Sequence, residues 1–279
     1  MFLDILKQIR INHWIKNLIL FTPLFFGGEL TDVDLLIKVL LAFLAFSFSA
    51  SAIYIINDFN DLEEDRKHAE KKNRPLASGK IGLNLGIIIF LTMLIGSALL
   101  AYLTGSLGLV YIISAYVATN LIYTFYTKHQ PIWDLVSLAV IYLLRLEAGS
   151  AVSGIELSGW LFLVIFFGAL ILIIGKRYSE LKQEKARKVL DYYTQELLNS
   201  LLLISSTVTI ASYSVYAITQ SNLYVPTIII FTFIIFRYYF IVITTNQGQK
   251  PEKLLLLDPQ IFLSIVAFLS YIGGIIYIQ

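Results

Sequence analysis

The sequence has no cysteine and few charged residues, and each shortage excludes a class of function. Without cysteine there is no disulfide framework and no thiolate chemistry. Asp, Glu, Lys and Arg make up 14% of the 279 residues, against roughly a quarter in soluble domains. The net charge of +2 gives no support for nucleic-acid binding, and the three histidines lack the spacing of a zinc site.

The sequence is instead dominated by long apolar segments. Hydrophobic residues make up 57% of the chain, and the segments approach the roughly 20 residues that an α-helix needs to cross a hydrocarbon core. We therefore predict an all-α fold, a polytopic membrane bundle of nine transmembrane helices around a central cavity, forming a single domain over residues 1–279. The predicted spans are residues 14–28, 35–56, 82–103, 107–126, 132–153, 158–176, 197–219, 223–245 and 258–278.

Positive charge is distributed unevenly between the two ends of these spans. The N-terminus and every joint after an even-numbered span collect nearly all Lys and Arg, whereas the opposite joints hold only Lys38. By the positive-inside rule, the N-terminus and the joints rich in Lys and Arg are predicted to be cytoplasmic, with the protein in the cell inner membrane. Residues 1–10 mix apolar and charged residues as an interfacial amphipathic helix does.

The predicted second span ends in the acidic run NDFNDLEED. On a helix, Asn57, Asp61 and Asp65 recur every four residues and project from one face, with Asp58 about one position round the cylinder. Oxygen ligands on one face suit Mg²⁺, which takes the rest of its shell from water and substrate phosphates. A solvated acidic helix end is the alternative, but a basic stretch follows at residues 66–74 and offers donors to phosphate oxygens. The run therefore indicates a site for magnesium and phosphate.

This loop resembles two motifs of the UbiA prenyltransferase superfamily. Residues 57–65 fit its NDxxDxxxD pattern, and residues 74–79, RPLASG, fit the RPxxSG pattern that follows. The nine predicted spans agree with that family as well, so the resemblance covers essentially the whole chain. It implies that the ligands of Mg²⁺ and diphosphate are Asn57, Asp61 and Asp65.

The loop after the predicted sixth span departs from the usual pattern of the superfamily. Typical members have a second aspartate-rich motif there, whereas this sequence reads GKRYSEL at residues 175–181. An acidic, metal-loaded wall would then face a basic wall, an arrangement suited to two anionic substrates. The change resembles a branch of the superfamily that transfers phosphoribose to polyprenyl phosphates. Further stretches similar to that branch are residues 13–17, 61–79, 128–129, 176–181 and 251–256.

The resemblance implies a magnesium-dependent transfer of 5-phosphoribose from phosphoribosyl diphosphate (PRPP) to a polyprenyl phosphate lipid, with release of pyrophosphate. The predicted catalytic residues are Asp58, Asp61 and Asp65, which hold the metal or lie beside it. Polar side chains in the loops and inside the spans are the candidates for substrate binding: Lys16, Asn17, Arg66, Lys71, Arg74, Tyr126, Lys128, Asp134, Arg145, Lys176, Arg177 and Tyr178.

Two other functions fit parts of the sequence. Prenyl transfer from a prenyl diphosphate to an aromatic or other acceptor is the alternative within the superfamily, and the basic second loop argues against it. A transporter or channel would use charges inside the spans, and it predicts spans broken by Gly or Pro. Those charges, Asp134, Arg145 and Arg237, are equally well interpreted as pairs that fix helix packing, such as Glu147 with Arg237. The sequence allows a homo-oligomer without requiring one.

Overall fold

The computed structural model describes residues 1–68, 70–183, 188–245, 247–249 and 251–278. Within those ranges the chain forms twelve α-helices and six 3-10 helices and contains no β-strand, which confirms the predicted all-α class. The α-helices are α1 (Phe2–Gln8), α2 (Thr22–Phe26), α3 (Val33–Asn60), α4 (Leu62–Lys67), α5 (Leu83–Leu103), α6 (Leu107–Phe125), α7 (Trp133–Ser153), α8 (Gly159–Gln183), α9 (Gln195–Gln220), α10 (Thr227–Thr245), α11 (Pro251–Leu257) and α12 (Pro259–Ile278).

Eight of these helices are long and apolar enough to cross a membrane. They are α3, α5, α6, α7, α8, α9, α10 and α12, and they coincide with the second to ninth predicted spans. The chain is therefore a multi-pass membrane protein. Each of the eight α-helices is continuous between its ends, so none of them shows the interruption that the transporter alternative predicts.

The predicted first span, residues 14–28, is not a single α-helix. The chain there forms a 3-10 helix, Ile11–Phe21, followed directly by α2. Trp14 is half-buried and Asn17 and Leu20 are buried, and this three-residue repeat matches the turn of a 3-10 helix. With a rise of about 2.0 Å per residue in the 3-10 helix and about 1.5 Å in α2, the segment extends over roughly 30 Å. That length matches a hydrocarbon core, and the ninth crossing stays a prediction.

Close backbone approach holds this segment against α7. A Cβ atom on Gly149 would lie 2.0 Å from the carbonyl oxygen of Leu20, so glycine is required at this position. On the α3 side, Asn17 Nδ2 donates to Ser47 Oγ at 2.9 Å. Backbone contact and hydrogen bonding together fix the position of the 3-10 helix.

The chain divides into two compact units. The first contains residues 1–124 and 144–155, and in it α3 packs along α5. The second contains the described residues of 125–143 and 156–278, and in it α8 packs along α9. The single domain over residues 1–279 stays a prediction.

An apolar cluster of the first unit positions the loop that follows the acidic run. Ile9, just after α1, is buried with Ile55 of α3, Leu76 and Ile81 of the loop, and Ile89 of α5. Leu76 belongs to the RPLASG segment. Its burial therefore ties that segment to the ends of α1 and α3.

An apolar cluster of the second unit includes residues of the 3-10 helix Lys188–Tyr192, which precedes α9. Val189, Leu190 and Tyr193 are buried there with Ile174 of α8 and Leu198 of α9. This packing places the Tyr193 side chain in the interior of the unit.

Candidate functional site

The predicted acidic face lies at the junction of α3 and α4. Helix α3 ends at Asn60, Asp61 caps it, and α4 begins at Leu62. The N–H of Asp61 donates to the Asn57 carbonyl at 2.9 Å, and the N–H of Asp65 donates to the Asp61 carbonyl at 2.8 Å. The helical register therefore continues through the junction, and Asn57, Asp61 and Asp65 stay on one side of the chain.

Asp65 is the most enclosed of these carboxylates, with 1% of the residue exposed. Arg74 Nη1 donates to its Oδ2 at 2.5 Å, whereas Lys71 Nζ lies 3.8 Å from its Oδ1, beyond hydrogen-bond distance. Among the described residues, the buried Oδ1 has no hydrogen-bond partner. Since a buried carboxylate oxygen without a partner is costly, this atom is suited to bind a cation.

Asn57 and Asp61 complete the donor set on this side of the junction. Asn57 Oδ1 accepts from Thr124 Oγ1 at 2.6 Å, and the half-exposed Asp61 accepts from Asn60 Nδ2 at 2.7 Å. In the part of the chain that the structure describes, no group of three His, Asp or Glu could hold a metal by itself. Two carboxylates and one amide still fit Mg²⁺, which keeps several waters and binds substrate phosphates with the rest of its shell.

Asp58 is buried, and both of its oxygens accept from protein donors. Gln8 Nε2 donates to Oδ2 at 2.8 Å, and Arg74 Nη1 donates to Oδ1 at 3.0 Å. Arg10 Nη2 donates to the same Oδ1. The catalytic role of Asp58 stays a prediction, while its contacts are those of a residue that holds two arginines. Gln8 and Arg10 were not predicted as site residues, since in the sequence they look like the polar face of an interfacial helix.

The basic stretch after the acidic run divides into two parts. Lys71 and Arg74 contact Asp65. Arg66 is exposed on α4 and donates to Glu63 at 2.8 Å. The contacts therefore bring Lys71 and Arg74 to the buried carboxylate, and the substrate contact of Arg66 stays a prediction.

A second buried polar group of the first unit surrounds Arg145 of α7. Its Nε donates to Asn17 Oδ1 at 2.8 Å. Its guanidinium carbon lies 5.3 Å from the centre of the Tyr116 ring and 5.8 Å from that of Phe46. The structure thus brings the predicted substrate residues Asn17 and Arg145 together. Lys16, which precedes Asn17 in the sequence, is half-buried. An ionisable residue inside a membrane span is a candidate functional residue.

In the second unit, Asp134 and Arg177 form a buried ion pair. Arg177 Nε donates to Asp134 Oδ2 at 3.0 Å, and its Nη1 donates to Glu180 Oε2 at 2.8 Å. The Tyr193 hydroxyl donates to Asp134 Oδ1 at 2.6 Å and accepts from the Ile132 N–H at 2.7 Å. Asp134 and Arg177 are 0% and 2% exposed. These two predicted substrate residues therefore bind each other, and their contact with substrate stays a prediction.

The Tyr193 hydroxyl also holds the chain just before α7. Burial raises the pKa of Tyr193, and its hydrogen bond to Asp134 raises that pKa further. The hydroxyl consequently stays protonated and donating at neutral pH. Ile132, which donates to it, has φ 68°, a left-handed conformation that is rare for a β-branched residue. The network thus stabilises a strained turn.

The other predicted substrate residues of the second unit differ in exposure. The side chain of Lys176 is 41% exposed, with Nζ 4.0 Å from Glu180 Oε1. Lys128 is half-buried, Tyr126 is exposed and Tyr178 is buried. Lys176 is therefore the accessible cation of the KRYSEL run.

Arg237 of α10 pairs with Asp258, which precedes α12, at 2.9 Å between Nη2 and Oδ2. The sequence suggested that Arg237 pairs with Glu147, and the structure instead gives Asp258 as its partner. The hydrogen bond from Arg237 lowers the pKa of Asp258, so the pair is ionised at neutral pH and fixes the packing of α10 against the start of α12.

Eight apolar helices define a polytopic membrane protein, and buried carboxylates and arginines cluster at the end of one of these helices. The family model of the UbiA prenyltransferase family matches residues 19–266, and the chain belongs to that family.

Several proteins resemble the chain over nearly its whole length. Decaprenyl-phosphate phosphoribosyltransferase of Corynebacterium glutamicum is 34% identical and aligns over 98% of this chain and 87% of its own. The protein of the same name from Mycobacterium tuberculosis is also 34% identical, over 97% of this chain and 93% of its own. A UbiA homolog from Archaeoglobus fulgidus, bound to DMAPP and Mg²⁺, superposes with a TM-score of 0.75 over 98% of both chains. At 20% identity, this last similarity concerns the fold alone.

Proposed function

We propose that the protein transfers 5-phosphoribose from PRPP to a polyprenyl phosphate and releases pyrophosphate. The observation that carries the proposal is the 34% identity, over 97% or more of the chain, to proteins named decaprenyl-phosphate phosphoribosyltransferase. The second loop supports it, because the Lys176 side chain is 41% exposed there, in a run that lacks the usual aspartate-rich motif. A basic loop suits a phosphorylated acceptor better than a neutral one.

In this proposal the donor diphosphate binds at the carboxylate cluster of the first unit. Asn57, Asp61 and Asp65 would hold Mg²⁺, and Lys71 and Arg74 would bind oxygens of the diphosphate. When bound, Mg²⁺ would neutralise negative charge on the departing pyrophosphate. Arg74 retains N–H groups for this contact, because among the described residues its bonds to carboxylates use Nη1 alone.

The bond changes need little from the protein besides position and charge. An oxygen of the lipid phosphate bonds to C1 of the ribose, while the bond from C1 to pyrophosphate breaks and the leaving group takes the electron pair. The acceptor is already an anion, so no general base is required. Rate enhancement then comes from orientation and from stabilisation of negative charge. The candidates to hold the lipid phosphate or the 5-phosphate are Lys16, Lys128, Arg145 and Lys176.

We also propose that the N-terminus and both long loops lie on the cytoplasmic side of the inner membrane. The uneven distribution of Lys and Arg supports this orientation. A water-soluble donor then enters from the cytoplasm, while the polyprenyl tail remains in the bilayer.

A transfer assay tests the proposal. The purified protein is offered labelled PRPP with polyprenyl phosphate in Mg²⁺ and, separately, a prenyl diphosphate with aromatic acceptors. We expect label in a lipid-phosphate-ribose product that disappears when the metal is chelated. A prenylated acceptor without any use of PRPP would assign the protein to ordinary prenyl transfer and refute the proposal.

A further inference from the structure

Arg10 occupies the bend between α1 and the 3-10 helix Ile11–Phe21. Its backbone has φ 53° and ψ 50°, a left-handed conformation that is uncommon for a residue with a side chain. Strained backbone of this kind persists where the surrounding structure over-determines it, and it clusters at binding sites. The contacts of the Arg10 side chain show what fixes it.

The Arg10 side chain lies on the last turns of α3. Its guanidinium carbon is 4.7 Å from the centre of the Tyr54 ring, and Nη2 donates to Asp58 Oδ1. The same oxygen accepts from Arg74 Nη1, which also reaches Asp65 Oδ2 at 2.5 Å. Charge therefore alternates along a continuous line formed by Arg10, Asp58, Arg74 and Asp65. The line ends at the Asp65 carboxylate, whose Oδ1 has no hydrogen-bond partner among the described residues.

Gln8 fixes the carboxylate at the centre of this line. It is 0% exposed, its Nε2 donates to Asp58 Oδ2 at 2.8 Å, and its Oε1 accepts from the Leu76 N–H at 3.3 Å. One side chain thus joins α1, α3 and the RPLASG segment. Because both oxygens of Asp58 bind protein groups, Asp58 acts through the arginines that it holds.

Arg10 also has hydrogen-bonding capacity in excess of its protein contacts. A guanidinium carries five N–H donors, and among the described residues the Arg10 side chain donates through Nη2 to Asp58 alone. The side chain is 20% exposed, so an anion from solution can reach it. Arginine binds phosphate oxygens through paired N–H groups.

We propose that Arg10 binds the diphosphate of the donor together with Arg74, and that Asp58 is the positioning residue for both arginines. The inference rests on the proposed function for the identity of the donor, PRPP. The pyrophosphate group itself is common to PRPP and to prenyl diphosphates. Binding of pyrophosphate therefore tests Arg10 separately from the reaction.

The experiment titrates Mg²⁺-pyrophosphate into the purified full-length protein by calorimetry and measures kcat and KM with PRPP. The variants are Arg10→Asn, Arg10→Lys and Asp58→Asn, and the control is Lys7→Asn, at an exposed position of α1. Asn tolerates a left-handed φ. Arg10→Asn therefore removes the guanidinium without adding strain at the bend.

We expect Arg10→Asn to weaken pyrophosphate binding and to raise the KM for PRPP about tenfold or more, the effect of one lost charge-assisted hydrogen bond. The KM for polyprenyl phosphate should stay constant, Arg10→Lys should recover part of the binding, and Lys7→Asn should match the wild type. Asp58→Asn should weaken pyrophosphate binding as well, and less than additively with Arg10→Asn because the two residues are in contact.

Unchanged pyrophosphate affinity in Arg10→Asn would overturn the inference, whether or not the unfolding temperature falls, because Arg10 would then be structural. A wild-type protein that binds pyrophosphate through Arg10 but does not use PRPP would refute the proposed function and leave the Arg10 assignment in place.

Discussion

Asp65 of the first unit and Asp134 of the second are both almost fully buried, and each accepts from an arginine. The two carboxylates differ in whether the second oxygen has a hydrogen-bond partner. Asp134 Oδ1 accepts from Tyr193, whereas Asp65 Oδ1 has no hydrogen-bond partner among the described residues. A carboxylate with every acceptor satisfied holds the fold together, and one with an unsatisfied acceptor is set to bind a ligand.

Replacing Arg177 gives the largest expected effect, because it leaves the Asp134 charge buried and unpaired. We expect Arg177→Met to destabilise the protein by about 3–5 kcal/mol. The measurement is the fraction of protein that remains folded after heating, determined by size-exclusion chromatography. Adding Asp134→Asn, which keeps an acceptor for the Tyr193 hydroxyl, should restore most of the loss. A double variant no more stable than the single one would show that the pair is not the cause.

Asp65→Asn should have the opposite effect to Arg177→Met, a loss of activity without a loss of stability. It keeps the shape of the side chain and removes the charge of the carboxylate, whose Oδ1 has no hydrogen-bond partner among the described residues. We therefore expect kcat/KM to fall about 100-fold while thermal stability is retained or rises. Steady-state kinetics and a thermal unfolding curve on one preparation check both statements. Full activity at normal Mg²⁺ would mean that Asp65 is not a metal ligand.

Lys176→Ala tests whether the accessible cation of the second loop contacts an anionic substrate. Losing one charge-assisted contact should raise the KM for PRPP or the KM for polyprenyl phosphate about tenfold. The substrate whose KM rises is the one that Lys176 contacts. Lys38→Ala, another exposed lysine, is the control and should leave both values unchanged. Two unchanged KM values in Lys176→Ala would remove the argument from the basic loop.

The smallest effect is expected at Arg66. Its pair with Glu63 is exposed, and such pairs contribute about 0–1 kcal/mol. Arg66→Ala should therefore change stability and kcat/KM by less than about threefold. A large rise in the KM for PRPP would instead bring Arg66 into the donor site and confirm its predicted role in substrate binding.

The transmembrane helices α3, α5 to α10 and α12 could be predicted because hydropathy is a property of contiguous sequence. The acidic face could be predicted for the same reason, since Asn57, Asp61 and Asp65 are separated by single helical turns. The segment Ile11–Phe21 could not, because its winding depends on contacts such as that of Leu20 with Gly149, far along the chain.

Pairings between residues far apart in the sequence are the other contacts that could not be predicted. The substrate-binding role of Arg177, predicted from the basic run, stays a prediction. Its ion pair with Asp134 could not be predicted, because the two residues are 43 positions apart in the sequence. Gln8 and Arg10 meet Asp58 across 50 and 48 residues. No local pattern distinguishes a cation that is already paired from one that is available to a substrate.

Electron paramagnetic resonance of Mn²⁺, a paramagnetic substitute for Mg²⁺, in the presence of pyrophosphate tests directly whether the carboxylates of the first unit bind the metal. We predict bound Mn²⁺ in the wild type and in the Asp134→Asn variant, and at least tenfold weaker binding in Asp61→Asn and Asp65→Asn. Equal Mn²⁺ binding by the wild type, Asp61→Asn and Asp65→Asn would contradict the assignment of the metal and diphosphate to the first unit.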